Sequence, residues 1–378
     1  MKRAAKLAFL GSAGLLGYTQ LGYPVLLAGL DRLRRPRDPD ILPYTDGDVP
    51  DVSLVVAAYN EAPVIDAKVQ NARALDYPAD RLEVIVSVDG ATDGTAERAR
   101  AAGADVVIEN TRGGKVRAQD AAVARARGEV VAFSDANATW EPGALRALVD
   151  PFLDPRVGYV CGSVRFTGAN GATNQEGLYW RYEMWLRGLE SRLASVTAGN
   201  GAIYATRKDA YIVVDPVMGH DLSFPFNLVK RGWRAVYASA ARATEKMVPT
   251  VEGEFARKRR MMSHTWPIVV RGGMLSPRGY GGLYGLMITS HRLLRYASPF
   301  LHLLALGTNA ALLEEGAGYR AAFAAQLGLL GAAAAPSRAR PFLVVRYYVL
   351  TTASVAAGLV DWLRHGTEAG WDAAEGTR

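Results

Sequence analysis

The sequence predicts an α/β fold, a mostly parallel sheet with flanking helices, set between N-terminal and C-terminal transmembrane helices. Three observations predict it. Short β-branched runs alternate with helical stretches between about residues 51 and 250, the pattern of parallel strands joined by helical crossovers. Residues 7–30 contain no Asp, Glu, Lys or Arg. Uncharged runs recur near the C-terminus at 296–313, 321–337 and 347–360.

The N-terminal run would span roughly 36 Å as a helix rising about 1.5 Å per residue, enough to cross a bilayer. Its MKRAAK start also suits a cleaved signal peptide. The run is long for a signal, however, and DRLRRPRD follows where a neutral mature start is expected, so we read a retained anchor over 1–38. An α/β domain follows over 39–265. VSLVVAAY (52–59) is its first strand and a helix follows near 62–74. LEVIVSV (82–88) and ADVVIE (104–109) are the next strands. A helix runs over 115–126, and EVVAFS (129–134) is the fourth strand. Residues 266–295 read as a juxtamembrane segment. Residues 296–362 read as C-terminal membrane helices, with the run at 347–360 marginal and interfacial or re-entrant, and 363–378 form a tail. Arg292, Arg295, Arg338 and Arg340 bracket the first two C-terminal runs on one side. The positive-inside rule makes that side, and with it the α/β domain, cytoplasmic in a multi-pass cell-membrane protein.

Composition narrows the function. The 378 residues are 49% hydrophobic and 21% charged, which excludes both a disordered chain and an all-membrane one. The lone Cys161 excludes a disulfide framework or a multi-cysteine metal site. The five histidines lack metal-ligand spacing. A net charge of +7 favours an anionic partner. Nucleic acid is not expected, because the cations form no aromatic-interleaved patch.

Polar clusters fall at the strand ends, where ligands bind in such sheets. Asp135 and Asn137 in DAN can share one hard cation, magnesium or manganese, or cap a helix. Asp89 and Asp93 in SVDGATDGT can accept from a base or ribose, or merely form a turn. RGGK sets Lys115 at a helix start, an anion site or a flexible basic loop. In GHD, Asp221 can be an N-cap or a general base, and His220 can pair with it or face water. In RKRRMM, Arg257 and Arg260 share a helix face and can clamp a diphosphate or attract anionic lipid.

The order AYNE, SVDGATDGT, GGK, SDAN, GHD, RKRRM resembles the motif series of the family-2 glycosyltransferases, which have the GT-A fold. The resemblance covers roughly 51–265. SHRLLRYASPF and GLVDWLRHGTEAGW look like the membrane-bound branch that makes bacterial surface polysaccharides. It implies an inverting transfer of sugar from a nucleotide-sugar donor, a UDP-sugar by the family's habit, to a lipid-linked or saccharide acceptor at the cytoplasmic membrane face, with membrane lipids as partners. Ala57, Tyr59 and Glu61 would line the nucleotide pocket, Asp89 would contact the base, and Lys115 would sit near the nucleotide. Asp135, with Asn137 in place of the second acid, would hold divalent Mg2+ or Mn2+. Asp221 would be the general base, and Arg260 matches the arginine of QxxRW. Three departures stand out: Asn137, His220 in place of a glutamate, and the loss of Gln and Trp at Arg257 and Met261, which argues against processive synthesis. The rivals are a processive polysaccharide synthase, a polyprenyl-phosphate sugar transferase, a sugar-nucleotide pyrophosphorylase and a non-catalytic membrane-anchored nucleotide-binding scaffold.

Overall fold

A computed structural model describes residues 2–34, 44–45, 47–167, 174–246, 251–337 and 339–370, with the backbone alone at 174–179, 251, 252 and 254. The N-terminal apolar run is helical throughout, but not uniformly so. Helix α1 (Lys2–Gly17) passes through a π turn (Tyr18–Gly22) into α2 (Tyr23–Arg34). Tyr23 and Leu27 of α2 are fully buried in a cluster with Leu186, Phe226 and Ile268, so this segment packs onto the α/β domain.

That domain is built on β1 (Val52–Ala58), β2 (Leu82–Asp89), β3 (Val106–Asn110), β4 (Val130–Asp135), β5 (Thr139–Trp140), β6 (Val157–Thr167), β7 (Ile203–Arg207) and β8 (Arg234–Lys246). The described strands form one sheet in the order β3-β2-β1-β4-β7-β6-β8-β5. The half from β3 to β4 is parallel, as the alternation predicts. Beyond it β7 runs antiparallel to both β4 and β6, while β8 returns parallel to β6, so the expected parallel character holds only up to β4. Every residue of β1 and β2 is buried, because helices cover both faces of the sheet. Successive residues feed opposite sides. Leu54 joins Trp140, Leu148 and Phe152 on one face, and Val55 joins Phe133, Tyr159 and Tyr204 on the other. Each such fully buried side chain stabilises the fold by about 1.5–3 kcal/mol.

Helices α3 (Ile65–Arg73), α4 (Thr95–Ala101), α5 (Lys115–Arg125) and α6 (Ala144–Val149) make the crossovers. Helices α7 (Asn174–Leu193) and α8 (His220–Lys230) flank the second half. Then come α9 (Val251–Val270), α10 (Gly282–Met287), a second π turn (Ile288–Leu293), α11 (Leu294–Ala310), α12 (Ala317–Ala334) and α13 (Arg340–His365). Helix α13 lies against α9 at close range. A Cβ on Gly358 would stand 2.5 Å from Met262 Cβ, and Trp266 Nε1 donates to Val355 O at 3.0 Å. Arg259 donates to Asp361 at 2.5 and 2.6 Å.

Among the described residues one helix, Arg340–His365, is long and apolar enough to cross a membrane by length and composition. It contains the run that sequence makes marginal, while the other two C-terminal runs form the shorter α11 and α12. The positive-inside argument also needs correction. Arg295 is bonded to Glu183 and Arg292 Nε donates to Thr197 Oγ1 at 2.9 Å, so both are held inside the protein rather than offered to lipid headgroups. Arg338 lies outside the described residues.

Candidate active site

The parallel register sets the site's frame. Ala57, near the end of β1, pairs with Ser87 of β2 and Asp135 of β4, so Asp89 and Asp135 end the two strands flanking β1. Lys115, the first residue of α5, is bonded to Asp135 through its Nζ. Gly201 faces this pair, and a Cβ there would stand 3.3 Å from Lys115 Nζ and 3.8 Å from Asp135 Oδ2.

Asp221 lies in the first turn of α8, and the preceding Gly219 is the N-cap. Gly199 N donates to Asp221 O at 2.7 Å, joining the loop that carries Gly201 to the head of α8. Burial pushes the Asp221 carboxyl above its ordinary value; Lys115 pulls against the rise and Asp135 adds to it. The loop at 199–201 thus links Asp221 to the Lys115–Asp135 pair.

His220 does neither of the things its sequence position allows. Its Nδ1 bonds Tyr204 Oη at 2.9 Å, and its ring stacks on Phe224 at 3.9 Å, with Phe133 and Tyr211 edge-on. Burial drives it down to about 3, so the imidazole is neutral at ordinary pH. Its Nε2 has no hydrogen-bond partner among the described residues.

The remaining expected residues are placed differently. Asp89 is 2% exposed and accepts from Gly113 N at 2.6 Å, Gly114 N at 2.9 Å and Arg112 at 3.1 Å. Its carboxylate thus shapes the RGGK loop. The Arg112 guanidinium lies 3.2 Å over the Tyr59 ring. Glu61 is buried, and its N–H donates to Thr95 Oγ1 at 2.9 Å. Asp93 proves to be turn chemistry, accepting from Ala62 N at 3.0 Å and Thr95 N at 3.1 Å. On α9, Arg257 Nη1 donates to Met261 Sδ at 3.4 Å. The charge of Arg260 bears on His264, whose Nδ1 lies 3.2 Å from Val217 O in the loop before Asp221.

Sequence reasoning missed two features, and of a third, the AGNG loop, it missed the bracing. Lys68 is 3% exposed and donates to Ala138 O at 2.9 Å, directly behind the DAN turn; a lone lysine in a polar helix gives no warning of this. Asn200, in the AGNG loop, braces the loop on Gly162 O at 2.6 Å. The chain beyond α13 also turns back over the site. Gly366, at φ +71°, starts a strap in which Thr367 Oγ1 donates to Ser263 O at 2.9 Å. A Cβ on Gly114 would overlap the carbonyl of Ala369, lying 2.7 Å from its carbon. A cavity of about 340 Å³ opens nearby, lined by Asp215, Met218, Arg271, Trp362 and Thr367 among others, but it includes none of the three clustered charges.

Residues 53–212 match the family described as glycosyl transferase family 2. Glycosyltransferase AglE of Haloferax volcanii is 30% identical over 133 residues, which is 34% of this chain and 44% of AglE. Beta-monoglucosyldiacylglycerol synthase of Synechocystis sp. is 34% identical over 164 residues, 42% of this chain and 31% of that protein. The chain thus spans less than half the length of these curated relatives. Among solved structures, the mannosyltransferase PcManGT from Pyrobaculum calidifontis, in complex with GDP-Man and Mn2+, shares the fold at TM-score 0.72 and 23% identity, covering 96% of this chain and 99% of that one.

Proposed function

We infer that this chain, which belongs to the family-2 glycosyltransferases, moves a sugar from a UDP- or GDP-linked donor to an acceptor hydroxyl with inversion at the anomeric carbon. The observation that carries the reading is the Lys115–Asp135 pair at the carboxyl end of the parallel strands, joined to Asp221 by one loop whose Gly201 lies against the pair and whose Gly199 is bonded to Asp221 O. Asp221 is the base. A carboxylate whose pKa is raised by burial takes a proton from an attacking alcohol more readily than an exposed one. Lys115, at the head of α5, faces the diphosphate, whose negative charge grows as the sugar leaves.

The residues fit a divalent cation in part. Asp135 and Asn137 supply only hard oxygen donors, as Mg2+ and Mn2+ require. No cluster of three or more His, Cys, Asp or Glu assembles among the described residues, so further ligands would have to come from the donor's phosphates. When bound, such an ion would neutralise charge on the leaving diphosphate. Met261, standing where the processive branch has Trp, supports single transfer over polymerisation. The apolar runs, with α13 the best candidate span, support a membrane-held enzyme with a lipid-linked or saccharide acceptor.

The test is a calorimetric panel of UDP- and GDP-sugars, with and without Mn2+. One donor should bind in a metal-dependent manner and be hydrolysed or transferred, and Asp135→Ala should remove the metal dependence. If no nucleotide sugar binds with or without metal, the reading is wrong.

A further inference from the structure

The loop at 197–201, between α7 and β7, is held at both ends. On the site side, Gly199 N is bonded to Asp221 O, and Gly201 closes against Lys115 and Asp135. On the other side Thr197 is bracketed. Its N and Oγ1 donate to Glu190 Oε2 at 3.2 and 2.9 Å, and Arg292 Nε donates to its Oγ1 at 2.9 Å. Thr197 and Glu190 are both 0% exposed.

The bracket reaches far along the chain. Glu190 Oε1 accepts from Tyr23 Oη at 2.7 Å, at the start of α2, and lies 2.6 Å from His291 Nδ1 in the second π turn. Tyr18 of the first π turn meets Ser290 of the second at 2.8 Å. Tyr23, directly after the first π turn, and His291, within the second, thus close on one buried polar centre. Such turns often mark functional places within helices.

This cluster sits inside an apolar shell of Leu186, Leu189, Phe226 and Ile288. Desolvating each ion costs several kcal/mol, and a well-packed apolar replacement is often as stable or more so. A fully bonded polar network, however, fixes direction as well as contact. Here the direction it fixes is that of the loop holding Asp221.

We propose that Thr197, clamped by Glu190 and Arg292, is a positioning residue for the transfer reaction: it sets the 197–201 loop and, through Gly199, the main chain of Asp221, so that α2 and the second π turn govern the alignment of the base. This rests on Asp221 being that base. Thr197, Glu190 and Arg292 are not among the residues assigned to the diphosphate, so the effect is expected on the chemical step.

The experiment compares Thr197→Val with Thr197→Ser in the full-length protein in lipid nanodiscs, using the donor identified by the panel. Valine keeps the shape and removes the hydroxyl; serine keeps the hydroxyl. Thr197→Val should lower kcat about tenfold or more, the scale of a slight misalignment at the reacting atoms, with the Kd for the nucleoside diphosphate unchanged and Thr197→Ser near wild type. Equal behaviour of valine and serine, or a loss confined to donor affinity, would overturn the proposal. Arg292→Gln supplies a second test if the valine variant does not fold: it should repeat the kcat-selective loss, and an unchanged kcat refutes the bracket. Failure of the base assignment itself shows separately, as turnover that survives Asp221→Asn.

Discussion

Replacing Asp221 by Asn separates chemistry from architecture more cleanly than any other change in this protein. The two side chains have the same shape, and the head of α8 keeps its Gly219 cap and the Gly199–Asp221 backbone bond at 2.7 Å. What is lost is the proton acceptor. General-base catalysis is worth about 10²–10⁴-fold, roughly 3–5 kcal/mol of barrier, so kcat should fall by that factor. Stability should move the other way. Burial raises the Asp221 carboxyl in the folded state, helped by Asp135 and opposed by Lys115. A carboxyl raised on folding stabilises the protein below its unfolded pKa, and that contribution is lost as pH rises through the folded pKa. Above its folded pKa the wild type therefore holds a partly desolvated charge that Asn lacks. Asp221→Asn should melt no lower than wild type at pH 7, and its advantage should shrink on acidification. Wild-type turnover should fall as pH drops through the same elevated pKa. Nucleotide release, calorimetric affinity for the nucleoside diphosphate, and melting at pH 7 and in mild acid give the three readings. Turnover within tenfold of wild type rules Asp221 out as base; a large drop in melting temperature at pH 7 makes it a structural carboxylate instead.

Two further outcomes follow from buried groups and backbone contacts. Burial lowers Lys68 to about 7, with Asp135 and Glu245 pushing back. The unfolded chain therefore takes up a proton that the folded one refuses as pH falls from about 10 towards 7, and stability declines over that window. Urea unfolding should show the decline in wild type and its absence in Lys68→Met; the same slope in both excludes Lys68 as its source. Ending the chain at Gly366 removes the Ala369 contact with Gly114 and should tighten nucleoside diphosphate binding in calorimetry. Unchanged or weaker binding would mean that the strap does not obstruct the site.

The half of the fold from β1 to β4 is legible in sequence because β1, β2 and β4 are buried and all four strands read as short, mostly apolar β-branched runs, with a glycine-rich or polar turn at their ends. Asp135, Lys115 and Asp221 emerge from the same logic, being polar residues placed where strands stop or helices start. Beyond β4 the sheet becomes mixed, and nothing in Ile203–Arg207 announces that β7 inserts antiparallel between β4 and β6. Partners distant in sequence were equally hidden. Asp89 is identical in sequence whether it meets a base or folds the RGGK loop, and only the tertiary structure shows Gly113 and Gly114 occupying its oxygens. His220 looks ionisable by residue type, yet four aromatic neighbours make it an inert ring. Arg292 and Arg295 look like topogenic charges until Glu183 and Thr197 take them up.

The strap beyond Gly366 is continuous with α13, the helix best suited to a bilayer. If the donor must push Ala369 away from Gly114 to enter, thermodynamic reciprocity requires that whatever grips the end of α13 alters how readily the donor is admitted, by the same factor in both directions. Lipid thickness, tension or a docked acceptor could then be sensed at the nucleotide, with no messenger other than a few residues of main chain.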